Sequence, residues 1–92
     1  MTLVFERIPA TLSRTGKSHS AFYRAISEGL FTPPVKIGAK SAAHPRHEVD
    51  AIMAAELNGA TPDELKALVT QLMAQRKALL SASMRSLATE AA

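Results

Sequence analysis

The chain has 92 residues, 47% hydrophobic and 21% charged, with 4% aromatic residues and a formal net charge of +3. That size holds one small domain with an appended element, and the composition is that of a folded chain with a small, mostly aliphatic core. The absence of cysteine excludes disulfides and thiolate metal sites. With no signal-like opening and no apolar run near the roughly 18 residues of a bilayer span, the chain is expected to be soluble, cytoplasmic and, if bacterial, nucleoid-associated.

The positive charge is one-sided. Residues 1–50 carry seven Lys/Arg and four Asp/Glu, whereas residues 51–92 carry four of each. A basic half of this kind favours a polyanionic partner.

Residues 1–8 read as an extended segment that packs Leu3, Phe5 or Ile8 onto the domain. Pro9 suits the first position of a helix, where its missing N–H costs nothing. A first helix over residues 9–15 is predicted to bury Ala10 and Leu12 and to expose Arg14. Gly16 can supply the positive φ of a tight turn, and Ser18 is placed to cap a second helix over residues 19–28. Phe22 and Ile26, four apart, face the core together. Lys17, His19, Ser20, Tyr23 and Arg24 fall on the other side. Gly29 ends that helix, and two short helices joined through a glycine turn make a helix-turn-helix pattern.

Leu30 and Phe31 read as core plugs, and Thr32-Pro33-Pro34 stops any helix. Val35-Lys36-Ile37 alternates as a short strand, a turn follows over residues 38–41, and residues 42–44 return as a second strand. This hairpin is a small wing with Lys36 and Lys40 near its tip. A third helix opens at Pro45 or Arg46, with Val49, Ile52, Met53 and Leu57 on one face, and Asn58-Gly59 closes it.

Thr61-Pro62-Asp63-Glu64 is the sharpest local signal, a capping box with proline at the first helical position. The helix it opens is predicted to run to about residue 81 and to fray beyond. Leu65, Leu68, Leu72 and Leu79 can fold back on the domain. A second stripe of Val69, Met73, Leu80, Met84 and Leu87, interrupted at Gln75 and Arg76, can pair with another copy.

Several motifs in series resemble a known family. Residues 8–31, IPATLSRTGKSHSAFYRAISEGLF, then Pro34-Val-Lys-Ile-Gly38 and Glu48-Val-Asp50, are similar to the AlpA-like prophage regulators and phage excisionases. These are small relatives of MerR-type winged helix-turn-helix domains, and the resemblance covers about residues 7–57. On the return strand of the wing, His44 and Pro45, with Arg46 beside them, stand where the family usually carries an aromatic and an arginine.

The implied fold is mainly α: a winged helix-turn-helix with a two-stranded hairpin wing over residues 1–58. The added helix over residues 61–92 lies outside the resemblance and is read from its own stripes as a candidate oligomerisation element with a frayed end. The implied function is sequence-specific binding of duplex DNA by a transcription regulator or excisionase of a prophage or mobile element. An integrase or a second copy of the chain would be its protein partner.

In that reading the second helix enters the major groove. Lys17, His19 and Ser20 lead, and Tyr23 and Arg24 follow one turn on. Ser18 and the first-turn N–H groups hold a phosphate. Arg24 is the best candidate for bidentate reading of guanine or for a phosphate clamp. Arg14, Lys36, Lys40 and Arg46 complete the set, chiefly as contacts to the DNA backbone.

His44 and His47 lack a third metal ligand at suitable spacing, no serine sits in a recognisable triad, and no glycine-rich phosphate loop occurs. No enzymatic activity, cofactor or metal is expected. A rival from another class is an assembly adaptor that keeps the helix-turn-helix as scaffold and binds protein through its last helix.

Overall fold

Local signals and tertiary pairing together produce four helices and three short strands. In chain order they are β1 (Phe5–Arg7), α1 (Ile8–Thr15), α2 (His19–Ser27), β2 (Val35–Gly38), β3 (Ser41–Pro45), α3 (Arg46–Leu57) and α4 (Pro62–Ala91). The computed structural model describes residues 2–91. It is mainly helical, with one antiparallel sheet of order β1-β3-β2.

The sheet has three strands rather than the two of the expected hairpin. The opening segment supplies β1, which pairs Phe5 with Pro45, Glu6 with His44 and Arg7 with Ala43. On its other side β3 pairs with β2, with an irregularity between Lys36 and Gly38. Alanine-rich β3 is thus the central strand, held by neighbours on both edges rather than by its own propensity. Pro45 has no N–H to donate at its end, and the ladder continues instead through the Arg46 amide, which donates to the Val4 carbonyl at 2.8 Å.

The core joins Phe22, Phe31, Val49, Ile52 and Leu72, with Leu12, Ile26, Leu65, Leu68 and Val69 packed around it. Two expectations fail on α1 and α3. Ala10 is exposed and Thr11 is buried in its place, because the Thr11 hydroxyl donates to the buried Glu6 carboxylate at 2.7 Å. Leu57 is 87% exposed. Eight residues after Val49 it has rotated about 80° from it at about 100° per residue, and α4 covers the Val49–Ile52 side.

The capping box that opens α4 forms both of its bonds. The Thr61 amide donates to Glu64 Oε1 at 3.0 Å and the Glu64 amide to Thr61 Oγ1 at 3.2 Å. These bonds hold the Glu64 carboxyl below its usual pKa. The helix then continues to Ala91, past the expected end near residue 81. After Pro62 it meets no glycine or proline, and its last turns are rich in alanine with leucine and methionine. At about 1.5 Å per residue, α4 accounts for most of the 48 Å long axis.

Arg76, which breaks the apolar stripe of α4, has a structural role. Its Nε and Nη2 donate to the two oxygens of Glu48 at 2.8 and 2.7 Å, and Nη2 also reaches the Pro33 carbonyl at 2.9 Å. Glu48 is fully buried at the start of α3, so this fork clamps α4 to α3 and to the loop before β2. Removing one partner of a buried pair strands the other charge. Arg76→Ala is expected to lower unfolding free energy by about 3 kcal/mol, and the double variant Glu48→Leu/Arg76→Met to recover most of it, as read by urea denaturation.

Candidate nucleic-acid interface

Local chemistry orients α2. Gly16 adopts φ +71°, a conformation that favours glycine, and its amide closes α1 by donating to the Leu12 carbonyl at 3.0 Å. Ser18 is the N-cap: its Oγ accepts from the Ala21 amide at 3.2 Å. At the far end Gly29, at φ +76°, lets the Leu30 amide reach the Ala25 carbonyl and its own amide reach Ile26, a Schellman ending. A nine-residue helix is therefore fixed at both ends.

Its inner face is anchored by rings. Phe22 meets Phe31 and His44 edge-to-face at centroid distances of 5.0 and 5.2 Å, and Phe31 meets His44 at 5.2 Å. Its outer face exposes His19, Ser20, Tyr23 and Arg24. The His19 and Tyr23 rings, one turn apart, lie 4.7 Å from each other, which steadies the tyrosine on the surface.

The remaining sequence-derived candidates divide by what their charges already meet. Arg14 bridges Glu6 and Asp50 at 2.8 Å each, and these carboxylates, Asp50 foremost, hold its proton more tightly than usual. Its charge is compensated by these two acids, while its side chain stays exposed at the surface as expected. Lys17 pairs with Glu56 at 2.9 Å, a partly exposed contact of the kind worth little and open to exchange for a phosphate. Arg24, Lys36, Lys40 and Arg46 are exposed and make no ion pair among the described residues.

The tip of the hairpin and the outer face of α2 are brought together. Lys40 and Ala42 line one surface depression with His19 and Tyr23, over a floor that includes Pro9 and Leu12. Arg7 stands at the same depression, a residue that sequence reasoning passed over. Its place depends on the pairing of β1 with β3, and no local signal announced it: in β1 the apolar Phe5 is exposed and the charged Glu6 buried, the reverse of what their polarity predicts. Lys36 and Arg46 do not line it.

His44, on the return strand of the hairpin, points inward and is fully buried. Its Nε2 lies 2.7 Å from the Thr32 carbonyl, and since a carbonyl only accepts, Nε2 carries the proton. Among the described residues its Nδ1 has no partner, nor does the neighbouring Thr32 hydroxyl. Burial is the main force pushing the imidazole pKa below its ordinary value. The Thr32 bond and the Glu48 charge act the other way, and Arg76 pushes it down further. His47 is half-buried on α3, and among the described residues no group of three or more His, Cys, Asp or Glu is arranged to hold a metal. No described helix is long and apolar enough to cross a membrane.

Comparison with protein-family models, with curated proteins and with solved structures gives no match for this chain.

A neutral, buried histidine makes stability depend on pH. With its folded pKa below the value of about 6.5 in the unfolded chain, folding is unaffected above that value. It weakens as pH falls below 6.5, where only the unfolded chain takes up the proton. The melting temperature is expected to drop as pH is lowered from 7 to 5. In His44→Phe, which keeps the ring contacts, the part of that drop due to this group should vanish.

Proposed function

We propose that the protein binds duplex DNA as a winged helix-turn-helix, with α2 in the major groove and the β2–β3 hairpin as wing. Its role in this reading is that of a transcription regulator or excisionase of a prophage or mobile element. The observation that carries it is the two-sidedness of α2. Phe22 is fully buried, while His19, Ser20, Tyr23 and Arg24 stand out on a helix capped at both ends. The unpaired guanidinium of Arg24 suits bidentate contact with guanine O6 and N7.

The concentration of basic residues in the first fifty positions supplies the sequence-independent attraction. The motif series from Ile8 to Asp50 supports the mobile-element role. A regulator and an excisionase would share these groove contacts, and the second would also bend its DNA over adjacent sites.

Duplexes selected from a randomised pool by the full chain provide the test. Arg24→Ala is expected to weaken binding to the selected duplex by about 1–3 kcal/mol in a gel-shift titration, with the melting temperature unchanged. Unchanged affinity would remove α2 from the groove.

One observation favours an additional or alternative role in assembly. Leu80, Met84 and Leu87 are each more than 60% exposed on the part of α4 beyond the core, spaced as one helical stripe. Deleting residues 80–92 leaves Leu72 and Arg76 in place. If α4 serves only assembly, the shortened chain sediments as a monomer where the full chain self-associates, and DNA binding is absent from both. If α2 binds DNA, the shortened chain still shifts the duplex.

A further inference from the structure

We propose that Arg7 and Lys40 form a two-point clamp for a DNA phosphate strand, seated in the depression between β1, the β2–β3 turn and α2. The inference rests on the DNA-binding reading and adds to it a residue and a subsite. Arg7 comes from β1 and Lys40 from the turn between β2 and β3, segments more than thirty residues apart that the sheet brings to one depression. Neither makes an ion pair among the described residues, and no carboxylate lines the depression. The nearest acid in sequence, Glu6, faces the other way and is taken up by Thr11 and Arg14.

The Arg7 side chain is held at the rim by a long contact, 3.4 Å, from Nη2 to Ser41 Oγ. On the sheet Arg7 pairs with Ala43, which is fully buried, two residues along β3 from Ser41. The opposite wall is the His19–Tyr23 ring pair, and the floor between is apolar at Ile8 and Leu12. Two cations on one rim, an aromatic wall and an apolar floor fit a sugar-phosphate strand, whose charge lies at its phosphates and whose sugar presents carbon. The grooves of B-DNA explain why a strand would lie there. The major groove, about 12 Å wide, and the minor groove, about 6 Å wide, are separated by a sugar-phosphate strand. A protein that places a helix in one and a hairpin beside the other must straddle that strand.

Salt dependence separates this clamp from base reading. Affinities of wild type, Arg7→Gln, Lys40→Gln, the double variant, Arg24→Ala and the α4 control Lys77→Gln are measured by fluorescence anisotropy. The probes are one selected duplex and one mixed-sequence duplex, each over a range of potassium chloride. Each clamp variant is expected to weaken both duplexes several-fold and alike, and to reduce the slope of log affinity against log salt by about one, the double variant by about two. Lys77→Gln leaves the slope as it was. If Arg7→Gln and Lys40→Gln leave the slope unchanged while Arg24→Ala weakens the selected duplex, the clamp is wrong and the DNA reading stands. If wild type binds neither duplex, both fall together. Melting temperatures of all variants exclude unfolding as the cause.

Discussion

Three rings that meet edge-to-face hold the fold in one arrangement. Phe22 comes from α2, Phe31 from the segment after it and His44 from the central strand, with centroids 5.0 to 5.2 Å apart. In this geometry the positive edge of one ring meets the negative face of the next, which adds direction to burial. The angle of α2 against the sheet is therefore set by ring packing rather than by apolar area alone. With only 4% aromatic residues, the chain places two of its three phenylalanines here, and histidine serves as the third ring. Its burial explains why it must stay neutral, and its Nε2–H bond to the Thr32 carbonyl explains how it remains in place.

Charge is organised around two buried acids. Glu6 engages Arg14 and Thr11, and Glu48 engages Arg76. Such pairs are weak sources of stability against an apolar replacement, but breaking them is costly. They fix which faces of α1, α3 and α4 meet. They also sort the arginines: Arg14 and Arg76 are held by acids, whereas Arg7 and Arg24 make no ion pair among the described residues. A count of basic residues thus overstates the charge open to a polyanion, and the location of the unpaired cations describes it better.

α4 joins two environments in one continuous helix. Up to Arg76 it contributes to the core and to the clamp on Glu48. From Leu80 to Thr89 every residue is exposed, including two leucines and a methionine on one stripe. An isolated helical segment of that length is marginal in water, so its helicity draws on continuity with the packed part. The same continuity carries the apolar stripe away from the domain, where it is open to a partner.

Much of the architecture was legible in the residues. Gly16 and Ser18 at the turn, the Gly29 ending and the Thr61–Glu64 box are local signals, each satisfied by atoms a few residues apart. Local hydrogen bonds and backbone preferences suffice to place helix ends, and they did so to within a residue or two except at the end of α4. The outward set on α2 followed in the same way from helical periodicity around Phe22.

Only the tertiary structure decided what depended on partners distant in sequence. That β1 would join the sheet, that Thr11 would be buried in place of Ala10, and that Arg14 and Arg76 would be held by acids could not be read from spacing. A strand's partner and a charge's counter-ion are chosen by long-range packing, and neither leaves a periodic trace in the chain. For the same reason Arg7 was passed over: its neighbours at the depression, Lys40 and Tyr23, come to it only through the pairing of β1 with β3 and the seating of α2 on the ring cluster.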